Sequence, residues 1–527
     1  MAVQVRKHLK QLAGESLIYG ISGTISIAIG FVLLPLLTRV FTPEEYGIVE
    51  LVDVLFMLLA MTVVLGLDNA STRWFYDSED PADRRKTIGS WFWCQFTVSG
   101  VLTLLLIAFA PGVSWLVTGS SDYALLVVLS AATLPLYAAQ RVFGNWLRYQ
   151  RRPWAAVAFG SGTALASVSL VVLFLAVWRT GMPGLYTAKL LALVLAAAAA
   201  VFGFRKWIAL KAFSWDRLKS MLLYGLPLAP AAVGLWVVRS ADRYILQNFC
   251  DTREVGLFAL AVKIATGVGL VLVAFTQAWA PFAFSILRQP NSRRVYVRVL
   301  DAYSFLGCGL CTAAALFAPL LVRVLATEAY YPAASSVAFL AFACLFNGGT
   351  SIACLGLGIA KKSMPSAVSV AIGLAVSLAL NFLLIPVFGR NGAAAASMMA
   401  WFASMAFLFA ASQRAYFIPF HWGRSLACLA CSFAIVELDR WVVPVVLERW
   451  AVPMDGLVAW GLRSAMLLAF LPLGIALGYI RWNRSGERGE PDASQGREPA
   501  VLAGDVEGAG NLISPIPGIC SEPKRVP

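Results

Sequence analysis

Apolar stretches of about twenty residues recur about fourteen times along this chain, and each is long enough to cross the hydrocarbon of a bilayer. They cover residues 16–40, 46–67, 88–110, 123–142, 154–178, 185–204, 221–240, 255–285, 299–324, 332–359, 365–388, 392–412, 426–446 and 457–480, numbered here as spans one to fourteen. Composition agrees. Of 527 residues, 59% are hydrophobic and only 13% charged, against about 25% charged in soluble domains. A chain this long with so little charge cannot clothe a water-facing surface. That excludes a soluble enzyme of two or three domains, a disordered chain and a secreted disulfide scaffold. Every predicted loop is short, which leaves no extramembrane domain for water-phase chemistry.

The formal charge is +14, which in a soluble protein would suggest nucleic acid. Here the basic residues follow the loops instead. Thirty of the 42 Lys and Arg fall at the N-terminus, after each even-numbered span, or in the C-terminal tail. Such alternation is the positive-inside pattern. It places both termini in the cytoplasm of a bacterial inner-membrane protein and leaves no nucleic-acid module. Span one exceeds the apolar length of a cleavable signal and reads as a retained anchor. Residues 483–527 read as a disordered cytoplasmic tail.

Four short matches recur at nearly one offset. Tyr19-Gly20 matches Tyr224-Gly225, and Glu45-Tyr46-Gly47-Ile48 matches Glu254-Val255-Gly256-Leu257. Arg151-Arg152 matches Lys361-Lys362, and Gly181-x-x-Gly184 matches Gly389-x-x-Gly392. The offsets run only from 205 to 210 residues. The expected fold is therefore an all-α polytopic membrane protein with two pseudo-symmetric six-helix lobes, 1–214 and 215–415. Two extra transmembrane helices follow at 416–482. Both lobes start on the same side, so their pseudo-twofold axis should run along the membrane normal and enclose a cavity between them.

Several runs resemble the polysaccharide-exporter family. They are Leu34-Pro35-Leu36-Leu37-Thr38-Arg39-Val40-Phe41-Thr42-Pro43-Glu44-Glu45-Tyr46-Gly47, Gly66-Leu67-Asp68-Asn69-Ala70-Ser71-Thr72-Arg73, and Ser240-Ala241-Asp242-Arg243-Tyr244-Ile245-Leu246 followed by Val255-Gly256-Leu257. The most specific is Asn381-Phe382-Leu383-Leu384-Ile385-Pro386-Val387-Phe388-Gly389-Arg390-Asn391-Gly392-Ala393-Ala394. The resemblance extends from residue 16 to about 412. It implies a flippase of the multidrug/oligosaccharidyl-lipid/polysaccharide exporter superfamily, working by alternating access of two lobes. The implied cargo is a lipid-linked oligosaccharide, a polyprenyl-diphosphate glycan, moved from the inner to the outer leaflet. The implied partners are that cargo and bilayer lipid, with a polysaccharide polymerase as a candidate.

A diphosphate crossing hydrocarbon needs cations. The intramembrane candidates for substrate binding are Arg239, Arg243, Lys263 and Lys189, with Arg73 at the inner mouth. Arg239 and Arg243 are four apart and share a helix face, while Asp242 between them offers a purely structural ion pair. Lys263 lies deep in span eight, where a charge costs about 2.5–3.5 kcal/mol and must find a partner or a wet cavity. Glu50, Asp53 and Asp68 are candidates for ion coupling, or else for salt bridges to facing helices. Arg463, outside the lobes, is expected to find an internal partner or to snorkel to water. Gln140, Gln277, Asn347 and Asn381 read as interhelical hydrogen-bonding groups. Prolines 35, 135, 227, 230, 281 and 319 are candidate kinks.

No cofactor or metal is implied. Cys308-x-x-Cys311 and Cys428-x-x-Cys431 lie in apolar helices without companion ligands and read as small buried residues. No Walker-type loop appears. Competing functions are a drug/cation antiporter of the same superfamily, a peptidoglycan-precursor flippase and a membrane glycan polymerase or ligase. The last normally needs a long outer loop.

Overall fold

A computed structural model describes residues 31–449, 456–477 and 479. The first half of span one, the N-terminal basic cluster and the tail after 480 lie outside the described residues. The described chain is helical, with no strand. Every span from two to fourteen coincides with a helix or a pair of helices, and Leu34–Val40 closes span one. Nine of the described helices are long and apolar enough to cross a membrane, so this is a multi-pass membrane protein.

Span two shows how the sequence sets an element. Thr42 accepts from the Glu45 amide, Glu45 returns a bond to the Thr42 amide, and Pro43 occupies the first turn. This capping box satisfies two orphan donors and fixes where the helix Pro43–Val64 begins. Asp251 caps Thr252–Ser285 in a similar way, accepting from the Glu254 amide at 2.8 Å. Span two then breaks at Leu65 and Gly66, both in the left-handed region, and resumes as Leu67–Asp77.

The duplication is visible in backbone detail. Arg151 and Lys361 both take left-handed φ, at 52° and 54°. The residues after them make equivalent bonds, Arg152 N–H to Leu147 O and Lys362 N–H to Leu357 O. Gly181 and Gly389 also share positive φ, at 66° and 53°. Spans eleven and twelve form one run, Met364–Ala415, that turns at Gly389 alone. Spans three and nine each break at a Phe-Ala-Pro triplet, Phe109-Ala110-Pro111 and Phe317-Ala318-Pro319. Each triplet starts a short helix, Ala110–Thr118 or Ala318–Leu325. Of the expected kinks, Pro135 and Pro281 instead sit inside continuous helices.

The lobes meet where spans two and eight start. A methyl on Gly47 would overlap the Thr252 carbonyl, and one on Gly256 would overlap the Pro43 carbonyl. The same offset of 209 separates Pro43 from Thr252 and Gly47 from Gly256, so the contact is reciprocal. Thr38 Oγ1 donates to Leu325 O at 2.7 Å, and its counterpart Gln247 Nε2 donates to Thr118 O at 3.2 Å. Such reciprocity is the mark of a pseudo-twofold axis, which therefore passes through this crossing. Tyr330 adds a hydroxyl bond to Phe41 O at 3.0 Å. An apolar cluster including Tyr46, Leu51, Val255, Phe258 and Tyr330 fills the seam.

At the opposite end, Trp215–Gly225 lies against Leu67–Asp77 and Pro81–Ala108, with Gly225 touching Gly66 and Arg217 paired with Asp83. The final helices pack on the second lobe through Trp422–Arg449 against Ser292–Leu316. Arg463 finds its internal partner there, Asp439 at 2.9 Å.

Candidate functional site

Just inside the glycine crossing, span seven delivers three consecutive polar residues to span two. Asp242 and Arg243 are 3% and 6% exposed, and Glu50 is 8% exposed. Arg243 Nη1 donates to Asp242 Oδ1 at 2.8 Å, and its Nε lies 3.5 Å from Glu50 Oε1 across the lobe boundary. Ser397 donates to the other Asp242 oxygen at 3.1 Å. Tyr244 OH reaches over to Leu51 O at 3.1 Å. A buried charge is tolerable only when paired and hydrogen-bonded; Arg243 and Asp242 meet that condition through Nη1, while Arg243 Nε is ion-paired with Glu50 but makes no hydrogen bond. The cluster holds two acids and one base.

A second pair sits beside it within the first lobe. Lys189 Nζ lies 2.7 Å from each oxygen of Asp53. Tyr186 OH donates to the same carboxylate at 3.1 Å and to Val49 O at 3.0 Å. Glu50 and Asp53 thus share a helix face, as their spacing predicts, yet each holds a different cation. Arg243 and Lys189 are committed to acids in this conformation, and so are Glu50 and Asp53.

Lys263 and Arg239 differ. Both are exposed within the protein, and no described residue forms an ion pair with either. Lys263 is seven residues past Gly256 on one continuous helix. Seven residues are almost two full turns, so Lys263 falls on the face that makes the crossing, about 10 Å further along. Gly267, Leu270, Ala274 and Gln277 continue the face at spacings of three and four. Apart from Leu270 the stripe consists of small and polar residues, and Gly267 on it faces the Phe31 ring of span one. Arg239 faces the interior of the second lobe, its guanidinium 5.8 Å from the Trp401 ring centroid.

Asp68 and Arg73 lie at the far end of span two. Asp68 accepts from Arg141 Nε at 2.9 Å, which ties span two to span four. Arg73 is half exposed, lies over Tyr224 at 5.3 Å and approaches Asp77 at 3.9 Å. The eight candidates therefore divide into a buried seam, a paired mouth and two cations without a described acid.

The polysaccharide biosynthesis protein family model matches residues 12–287, more than half of the chain. The chain belongs to that family. Its curated relatives are distant. The succinoglycan biosynthesis transport protein ExoT of Rhizobium meliloti is 20% identical over 47% of this chain and 48% of its own length. An uncharacterized membrane protein of Haemophilus influenzae is 24% identical over 53% of this chain and 66% of its own. The matched region thus spans about half to two thirds of the relatives' length. Among solved structures, the lipid II flippase MurJ in its inward closed conformation superposes with a TM-score of 0.70 at 11% identity, covering 88% of this chain and 99% of MurJ. An inward-facing MATE multidrug transporter gives 0.63 at 14% identity, covering 76% and 97%. These likenesses place the two-lobed fold.

In this polysaccharide biosynthesis protein the charged residues and the adjacent Arg243–Asp242 pair were legible in the sequence, but the partners from distant helices were not. Tyr186, Tyr244, Ser397 and Arg141 had no local signal. Their partners are 73 to 193 positions away. One signal was available: the doubled Phe-Ala-Pro triplet marks the helix breaks on both sides of the axis. Cys308, Cys311 and Cys428 are buried and unbridged.

Proposed function

We propose that this chain is a flippase that moves a polyprenyl-diphosphate-linked oligosaccharide from the inner to the outer leaflet by alternating access. The observation that carries the reading is Lys263, an exposed cation within span eight with no ion-pair partner among the described residues, on the helix face that makes the glycine crossing. Such a cation is costly unless an anion or water meets it, and a diphosphate crossing between the lobes would supply the anion. The basic-loop pattern orients the molecule, with the Gly47 end outward and Arg73 at the cytoplasmic mouth. The conformation described is then closed outward. Opening that side requires the Glu50–Arg243 pair to separate.

A drug/cation antiporter would need acids free to meet a cationic cargo. Glu50 and Asp53 are instead held by Arg243 and Lys189. A peptidoglycan-precursor flippase is the stronger second reading, favoured by the MurJ superposition, which includes most of the chain. The test is leaflet accessibility of a fluorescent polyprenyl-diphosphate glycan in proteoliposomes. Wild type should translocate it, and Lys263→Ala should slow translocation about tenfold or more, as for loss of one charge-assisted contact. Uptake of a fluorescent organic cation with no glycan translocation would overturn the reading.

A further inference from the structure

The second lobe contains a cavity of about 190 Å³ between spans seven, ten, eleven and twelve. A single water needs roughly 10–15 Å³ of such space, so the cavity holds a group far larger than one water. Its lining is mostly apolar, with Leu235, Val238, Val370 and Leu408, and its polar groups come from Arg239, Asn347, Thr350, Ser366, Ser369, Trp401 and Ser404. Three of the hydroxyls are already engaged: Thr350 donates to Asn347 O at 2.6 Å, Ser404 donates to Ser369 O at 2.9 Å, and Ser366 Oγ pairs with Cys354 Sγ at 3.9 Å. The Arg239 guanidinium and the Asn347 carboxamide have no described hydrogen-bond or ion-pair partner. The Arg239 guanidinium lies over the Trp401 ring, and its main-chain carbonyl accepts from the buried Arg243. The cavity thus offers one fork of donors, one amide, one indole and the Ser369 hydroxyl beside an aliphatic wall, with no acid in its lining.

This inventory suits one ligand chemistry. A guanidinium binds a carboxylate through two parallel hydrogen bonds. An indole edge and face accept the C–H surface of a sugar ring, and a carboxamide both donates to and accepts from hydroxyls. A diphosphate carries more charge than one guanidinium neutralises. Resting on the flippase reading, we infer that this cavity is a subsite for an acidic sugar of the glycan, its carboxylate on Arg239 and its ring beside Trp401. The diphosphate stays with Lys263 between the lobes. The subsite makes the second lobe selective for charge on the glycan itself.

The test uses the full chain in lipid nanodiscs, with soluble cellobiouronic acid, neutral cellobiose and inorganic pyrophosphate as probes, read by saturation-transfer NMR and tryptophan fluorescence. The acidic disaccharide should bind about tenfold or more tightly than the neutral one. Arg239→Gln should erase that difference and Arg239→Lys should keep part of it. Trp401→Leu should weaken both sugars, and Lys263→Ala should change neither. Equal binding of the two disaccharides by the wild type, an unaltered preference in Arg239→Gln, or displacement of the sugar by pyrophosphate would each overturn the subsite. Flipping of the lipid-linked glycan is scored separately. Selective sugar binding without flipping would defeat the transport reading and leave the subsite standing, and flipping with unselective binding would do the reverse.

Discussion

Arg243 sits between two carboxylates in a region with almost no solvent, and its removal is asymmetric with theirs. Arg243→Ala leaves Glu50 and Asp242 facing each other without a base. Breaking a buried pair in this way costs about 3–5 kcal/mol. Glu50→Gln leaves the Arg243–Asp242 pair, a balanced one, and should cost clearly less. Thermal unfolding in detergent checks the order: a large drop for Arg243→Ala and a small one for Glu50→Gln. Equal drops would mean that the cross-lobe contact, rather than charge balance, dominates. The residue types at these positions were legible in the sequence, because ionisable groups within apolar runs stand out. Their state was not. Whether Lys189 and Lys263 are bound or free depends on Asp53 being 136 residues from one and on no described acid meeting the other. Only the packing of helices far apart in the chain decides that.

At the level of elements, the crossing of spans two and eight depends on the absence of side chains at Gly47 and Gly256. The atoms a Cβ would strike are main-chain carbonyls of the opposite helix, which cannot swing aside. Gly256→Val should therefore push the helices apart. We expect faster thiol labelling of a cysteine placed at Tyr330, which is fully buried in the seam, in a background lacking the native cysteines. Unchanged labelling would show that the crossing is not the seal. The sequence displayed this element as paired Glu-x-Gly motifs, and it displayed the turns at Gly181/Gly389 and Arg151/Lys361 as repeats. It did not show the break at Leu65-Gly66. Apolar residues surround that break, and the reason for it is contact with Gly225, 159 positions away.

For the whole molecule, the last two helices complete the second lobe's packing. Phe433 stacks on Phe342 at 4.3 Å and Phe470 on Phe305 at 5.0 Å. Both contacts belong to one apolar cluster. Truncation after Ala415 should lower the melting temperature and broaden the size-exclusion profile, whereas an unchanged profile would make the helices an independent appendage. The lobes themselves are related by an axis through the glycine crossing, but the charges are not. Glu50 and Asp53 correspond to Ala259 and Val262 in the second lobe, and Lys263 corresponds to Val54. A symmetric frame thus carries an asymmetric set of charges.

Under the proposed alternating access, the Gly47 end opens during transport. Cysteines replacing Glu44 and Arg253, which form a 3.6 Å ion pair across the lobes, can be joined by a short reducible cross-linker in proteoliposomes holding a labelled polyprenyl-diphosphate glycan. Translocation should stop on cross-linking and return on reduction. Undiminished translocation with the lobes covalently joined would contradict that opening.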